Sequence, residues 1–497
     1  MNPLDEEELL EKLRKKLGTP QKSDERAQLE KIFGKAAPSP EEKLKQKLKQ
    51  KTLNIGEIID IYIEKIAFGG EGIGRHGNAP VFVEGTVPGD TARVRIDSLK
   101  NDTVRAQLLD IIAPSSNRTK PKCPLFGKCG GCSLQNLVYT AQLKAKQEML
   151  RDVLLNIAKI ETQIRNPIAS PETYGYRLRC TFHLETSDSG TNLGYHARGT
   201  HEVIGVENCP IAAPLINRIL PALTSLLPAP GTAELPDTIT IHTDIEQKSA
   251  VIHMTAQKPV YYQQELFTKL KETGLPIAGV SADGYGQMDI AGTDILSNQI
   301  IPYQFELHGN SFFQINRFLL KSFISNVIQL TSPNANDILL DLYCGTGFFS
   351  IPLGKYLRSL TGLDSDQSAC NMARRNAELN GLSNIEFLTA DDGAFFSTLP
   401  ENARHANFII ADPPRNGLHR NVLQAIVQRK PPKLLYISCN PPTFARDLAS
   451  LVAADFRIRV IQPIDLFPHS HHIETIAFLT HRYTGVQAAS AIMPDLR

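Results

Sequence analysis

The chain contains no apolar run approaching the roughly eighteen residues that a membrane-crossing helix needs. Nor is a secretory leader expected. The chain begins Met1-Asn-Pro-Leu-Asp-Glu-Glu-Glu8, with no basic start running into an apolar stretch. These two absences set the expectation of a cytoplasmic protein with no membrane partner. No charge of either sign predominates: 53 Lys and Arg against 52 Asp and Glu leave a net +1, which by itself points to no partner. Cysteines number eight in 497 residues, and without a leader they do not form a disulfide framework. What is present is ordinary globular material, 42% apolar and 21% charged, in a chain long enough for two or three domains.

Texture divides the chain into four. Residues 1–53 are rich in Lys, Glu, Gln and Pro, with pairs such as Glu41 and Lys45 at helical spacing. They carry too little apolar surface to fold alone and read as a charged, flexible extension. Residues 54–112 switch to short alternating runs broken by turns. Thr91-Ala-Arg-Val-Arg-Ile96 has period two, Pro80-Val-Phe-Val-Glu-Gly85 ends at a turn, and Val87-Pro-Gly-Asp90 is a turn signal. This length and pattern predict a five-stranded barrel of the oligonucleotide-binding type. Residues 113–300 hold a cysteine-rich segment and then an α+β domain with strands such as Asp237-Thr-Ile-Thr-Ile-His242. From 301 to 497 the pattern is doubly wound α/β, Rossmann-like, with buried strands at Asp337–Asp341, Asn407–Asp412 and Lys433–Ser438 separated by helical stretches.

Local charge is less even than the total. Arg118, Lys120, Lys122, Lys128, Lys144 and Lys146 follow one another without an acid. So do Arg415, Arg420, Arg429, Lys430, Lys433 and Arg446. Such single-sign stretches are expected to attract a polyanion.

The chemistry concentrates in the last third. Gly345 and Gly347 lie just after a strand, where they allow a tight turn and close approach of a ligand to a helix start. Asp364 follows nineteen residues after Gly345, placed to accept bonds from two ribose hydroxyls. Position 350 is Ser rather than the third glycine of a dinucleotide fingerprint, which favours S-adenosylmethionine over NAD. Cys439, between Ser438 and Asn440-Pro441, follows a buried strand at the carboxyl edge of the sheet and is the candidate nucleophile. Glu474, in His469-Ser-His-His-Ile-Glu474, is the candidate base, with the neighbouring histidines as alternatives. Cys123, Cys129 and Cys132 form C-x5-C-x2-C and need a fourth ligand, for which Cys209 and Cys180 are available. Zinc and an iron–sulfur cluster both remain open on that spacing.

Ser438-Cys439-Asn440-Pro441, Asp412-Pro-Pro-Arg-Asn-Gly417, Phe313-Gln-Ile-Asn316 and the Glu474 segment together resemble the RNA uracil-5 methyltransferase family, over most of residues 55–497. The resemblance implies a catalytic thiol at Cys439 and a proton-abstracting carboxylate at Glu474. It implies S-adenosylmethionine contacts from Gln314, Tyr343, Asp364 and Asp412, and a uracil held or polarised by Arg415, with Asp412 also in the substrate pocket. It further implies a structural [4Fe–4S] cluster on Cys123, Cys129, Cys132 and Cys209, in a central iron–sulfur domain. The small barrel is similar to the RNA-binding TRAM domain. Members that carry it point to 23S rRNA as substrate rather than tRNA, with no obligate protein partner.

Two positions depart from the family pattern. Phe348 stands where many relatives have a small or polar residue, and Asp364 stands where Glu is usual. Neither removes a reacting group. Three competing functions follow from the same residues: a tRNA uracil-5 methyltransferase, a non-catalytic RNA-binding or folding factor, and a methyltransferase acting on an exocyclic amine.

Overall fold

A computed structural model describes residues 53–481 except 101–102, 188–189, 230 and 285–286. The charged extension expected over residues 1–53 therefore lies, apart from Leu53, outside the described residues.

Five strands, β1 (Ile58–Ile66), β2 (Gly72–His76), β3 (Ala79–Val83), β4 (Thr91–Lys100) and β5 (Thr103–Ala113), close into a barrel in the order β1-β2-β3-β5-β4. Alternation decides which way each strand faces: Ala92, Val94 and Ile96 are buried in the barrel, while Arg93 and Arg95 between them are exposed. The turn at Val87–Asp90 is locked by the fully buried Asp90 carboxylate. It accepts from Val87 N at 2.7 Å and Ser115 N at 2.9 Å, and pairs with Arg118.

Helix α1 (Tyr139–Val153) comes next, and it departs from the domain reading. It lies within the stretch assigned to the central domain, yet Leu150 and Leu154 share a core with Phe444, Leu448 and Leu451 of the carboxy-terminal unit. Leu154 lies just beyond the helix, and Ala145 and Met149 of α1 pack with Ile66 and Val87 of the barrel, so α1 is shared between the barrel and the carboxy-terminal unit. The central sheet itself comprises β6 (Arg179–Ser187), β7 (Gly190–His196), β8 (Val203–Gly205), β9 (Thr238–Thr243), β10 (Ala250–Ala256), β11 (Ile277–Gly284) and β12 (Gln287–Gly292), ordered β12-β11-β10-β9-β6-β7-β8. Helices α2 (Pro214–Leu226) and α3 (Gln263–Glu272) cover it, burying Leu215, Ile219, Leu223, Leu266 and Leu270.

A hairpin of β13 (Ile295–Ile300) and β14 (Tyr303–His308) spans the expected boundary at residue 300 and packs Phe305 and Leu307 into the carboxy-terminal core. That unit adds α4 (Leu320–Thr331), β15 (Ile338–Leu342), α5 (Ser350–Gly354), β16 (Ser359–Asp364), α6 (Gln367–Leu379), β17 (Ile385–Thr389), β18 (Phe408–Ala411), α7 (Arg420–Arg429), β19 (Lys433–Ser438), α8 (Pro441–Ala453), β20 (Phe456–Ile464) and β21 (Glu474–His481). Its sheet runs β17-β16-β15-β18-β19-β21-β20, parallel except for β21. Winding reverses between β16 and β18 on either side of β15, and at such a reversal the carboxyl ends of the strands leave a crevice.

Several cations of the two runs are paired with acids. Arg118 pairs with Asp90, and Lys146 is fully buried against Asp465. Lys433 pairs with Asp337, and Arg446 with Asp447. Asp90, Asp337 and Asp465 come from distant sequence and Asp447 from the next residue, so a run without acids still meets them in the fold. No helix among the described residues is long and apolar enough to cross a membrane.

Candidate active site

Three parallel strands deliver their last residues to one edge. Tyr343 follows β15, Asp364 ends β16 and Cys439 follows β19. Asp412, just after β18, joins them. Strand β21 is antiparallel to both neighbours, so it begins where the others end: Thr475 pairs with Ser438, and Glu474 with Ile464. The result is one cavity of about 570 Å³ lined by Gln314, Tyr343, Asp364, Asp412 and Arg415 together with Cys439 and Glu474.

The glycine turn closes over Asp364. Gly345 has φ +52 and Gly347 φ +88, and Gly345 N donates to Asp364 Oδ2 at 2.8 Å. The second carboxylate oxygen accepts from Asp366 N at 2.9 Å. Burial nonetheless pushes the Asp364 carboxyl above its ordinary range. A β-carbon on Gly345 would face open space, so a ligand can come close to the backbone there. Buried Thr346 Oγ1 and Asp341 Oδ1 have no hydrogen-bond partner among the described residues, which leaves polar capacity for a ligand at the turn. Phe348 is accommodated by the core rather than by solvent: its ring meets Phe313 and Phe349 edge-on at 5.3 and 4.9 Å. Tyr343 is held by its ring against Phe395 and by its hydroxyl, which accepts from His419 N at 3.2 Å.

Cys439 sits one residue before the cap of α8, whose amino end favours a thiolate. Burial outweighs that, and with Glu474 and Asp412 nearby it pushes the thiol up to about 12, while Arg415 pulls in the other direction. Arg415 is held through its own carbonyl, which accepts from Asn440 Nδ2 at 2.8 Å and Thr443 Oγ1 at 3.1 Å. Two further acids have their pKa values raised. Burial, with Asp341 close by, raises Asp412 to about 7, and burial with Asp412 close by raises Glu474 well above the carboxylate range. Glu474 Oε1 is buried without a partner among the described residues. Of the histidines before it, His472 lines the cavity, and burial lowers its pKa to about 3. A base that weak is a poor proton acceptor, which leaves Glu474 as the better-placed one.

The cysteine-rich segment reaches a second cavity of about 600 Å³, lined by Cys123, Cys129, Cys132 and Cys209. Cys180 does not line it and lies wholly buried in the central core. Among the described residues no three ligand side chains converge closely enough for a single metal ion. Gln135 Oε1 holds Cys123 N at 3.1 Å, and Asn217 Oδ1 holds Cys209 N at 2.8 Å. Burial raises the thiols of Cys129, Cys132 and Cys209, Cys132 to about 12.

Sequence reasoning missed several residues of the main cavity. Arg177 and Arg415 line both cavities, which puts the two sites back to back. Phe312 is 67% exposed at the rim, beside the buried Phe313. Arg177 had no signal in the sequence, since its position depends on β6 lying against the methyltransferase-like unit.

Residues 138–482 match the family model described as tRNA (Uracil-5-)-methyltransferase, and residues 53–109 match that of the TRAM domain. The chain is 31% identical over 455 residues to a Thermosynechococcus vestitus protein named an uncharacterized RNA methyltransferase, covering 86% of this chain and 98% of that one. An Aquifex aeolicus protein of the same name is 30% identical over 430 residues, covering 85% and 98%. Among solved structures, the tRNA (uracil-54, C5)-methyltransferase of Pyrococcus abyssi, in complex with S-adenosyl-L-homocysteine, has a TM-score of 0.65 at 24% identity, covering 85% of this chain and 100% of that one. That likeness is one of fold.

Proposed function

This chain belongs to the RNA uracil-5 methyltransferase family and carries a TRAM domain, and from that premise we propose that it methylates carbon 5 of a uridine in 23S rRNA through a covalent adduct between Cys439 and carbon 6. The family reaction is S-adenosylmethionine-dependent. The observation that carries the residue assignment is the single cavity shared by Cys439, Glu474, Asp412 and the glycine turn.

Carbon 5 of uracil is a weak nucleophile until carbon 6 accepts one. The Cys439 thiol loses its proton to water, and the thiolate bonds to carbon 6. The electron pair displaced from the ring double bond resides on the enolate oxygen, where Arg415 offers charge. The cofactor supplies the electrophilic methyl, which carbon 5 takes. The Glu474 carboxylate then removes the proton left on carbon 5, the ring double bond re-forms, and the thiolate leaves. Gln314, Tyr343, Asp364 and Asp412 orient the cofactor, and Asp412 also bounds the uracil. Reaching this cavity requires the uridine to leave its stack.

A structural [4Fe–4S] cluster on Cys123, Cys129, Cys132 and Cys209 is part of this reading, supported by the one cavity that the four cysteines share. Cluster and barrel together favour 23S rRNA. The tRNA reading is supported by the likeness to the Pyrococcus abyssi enzyme.

The test is methyl transfer from labelled cofactor to rRNA and tRNA from a strain lacking this gene, with the product nucleoside mapped. The reading requires 5-methyluridine in 23S rRNA, no turnover by Cys439→Ala, and a covalent adduct between the native enzyme and 5-fluorouridine RNA. Full-rate transfer by Cys439→Ala would overturn the mechanism, and label confined to tRNA would overturn the substrate.

A further inference from the structure

The loop between β20 and β21, residues 465–473, leads into Glu474; Ser470 ties it internally to Phe467 and His472, and the rest of its support comes from outside. His469 has φ +68, a conformation that a residue with a β-carbon adopts only when its surroundings impose it. Those surroundings lie far away in sequence. His469 N donates to Gln142 Oε1 at 2.9 Å, and Gln142 Nε2 lies 3.1 Å from His469 Nδ1 and donates to it. The same amide nitrogen donates to Leu137 O at 2.7 Å, which fixes the Gln142 side chain on α1. The His469 carbonyl accepts from Ser133 N at 3.0 Å and Leu134 N at 2.9 Å. At the start of the loop, Lys146 Nζ donates to Asp465 Oδ1 at 2.6 Å and to Phe467 O at 2.9 Å. One face of α1 therefore grips the loop at its start and its middle. Glu474 Oε1 has no partner among the described residues and the carboxyl is held only through the Thr475 backbone, so its direction follows the backbone that delivers it.

We infer that Gln142 is a positioning residue for proton abstraction: by holding His469 in its left-handed conformation, it aims Glu474 at carbon 5 of the adduct. The inference rests on the assignment of Cys439 and Glu474 made above. In the step concerned, the Glu474 carboxylate bonds the carbon 5 proton, the carbon–hydrogen pair becomes the carbon 5–carbon 6 double bond, and the sulfur departs as thiolate. Addition at carbon 6 and methyl uptake precede this step and do not use Glu474 as base. A misdirected carboxyl therefore slows resolution and leaves adduct formation alone.

The experiment uses the full chain and three readouts: multiple-turnover methylation of uridine RNA, the rate of trapping by 5-fluorouridine RNA with cofactor, and the fraction of enzyme held as RNA adduct during turnover. Trapping reports addition and methyl uptake only, because fluorine cannot leave as a cation. Gln142→Met keeps length and removes both hydrogen-bonding groups. It is expected to lower kcat about tenfold or more, with trapping within about twofold of the native rate and adduct accumulating on denaturing gels. A parallel fall in turnover and trapping, or no change in either, overturns the inference. If Gln142→Met does not fold, His469→Gly takes its place. It tolerates φ +68, loses the ring contact, and is expected to show the same split at about threefold. Glu474→Gln is the control. If it accumulates adduct and the Gln142 variant does not, only the positioning role falls. If it turns over without accumulating adduct, the assignment of Glu474 falls and the inference with it.

Discussion

Asp465→Asn exposes the strongest electrostatic commitment in the molecule. Lys146 and Asp465 are both wholly buried and 2.6 Å apart, and burial already lowers the lysine pKa, with Asp465 opposing the fall. Without the aspartate, the ammonium has no countercharge, and the folded protein escapes by releasing the proton. A lysine that ordinarily titrates near 10.4 gives it up at pH 7 at a cost of about 1.4 kcal/mol per unit over roughly 3.4 units, about 4.6 kcal/mol in all. Removing one partner of a buried pair typically costs about 3–5 kcal/mol, so the two routes agree. The sign of the pH dependence follows. The variant's lysine is depressed when folded and ordinary when unfolded, so the unfolded chain binds the extra proton and stability rises with pH. At pH 8.5 the penalty shrinks to about 2.6 kcal/mol. Circular dichroism melts of native and variant protein at pH 7.0 and 8.5 measure this. The variant's melting temperature is expected to drop by about 10 °C or more at pH 7 and by markedly less at pH 8.5. A penalty that is independent of pH, or below about 1 kcal/mol at pH 7, would refute the argument. The double change Lys146→Met with Asp465→Asn removes both charges and should recover most of the loss.

Trapping by 5-fluorouridine RNA should climb with pH from 7 to 9, because burial and two neighbouring carboxyls hold the Cys439 thiol up to about 12 and thiolate is scarce below that. A flat profile would mean the thiol is already ionised. Gly417→Ala puts a β-carbon 2.5 Å from Asp447 Oδ2 at φ +76. It should loosen the segment bearing Arg415, raising the KM for RNA while equilibrium binding of labelled cofactor stays unchanged. Cys132→Ser and Cys209→Ser should lose iron, sulfide and the visible absorbance band, whereas Cys180→Ser should keep all three, since Cys180 lies outside the four-cysteine cavity.

Features that live within one turn or one strand could be read from the chain directly. The Gly345–Gly347 turn, the alternation of β4 and the strand before Cys439 are set by backbone stereochemistry and a two-residue period, which need no partner to be recognised. The grouping of Cys439 with Glu474 and Asp412 came from family resemblance, because spacing could not choose between Glu474 and its histidines. Folding decided the rest. Strand β21 enters antiparallel and brings Glu474 to the edge where Cys439 ends β19. Packing took Cys180 into the central core and left Cys209 at the cavity with the other three cysteines. Helix α1 crossed the expected domain boundary, and acids from elsewhere neutralised Lys146 and Arg118 in a run that looked uniformly basic. These outcomes share one cause. A buried charge, an orphan carboxyl or an apolar face is satisfied by whatever group the tertiary fold brings to it, and for Gln142 and His469 that group is 327 residues away.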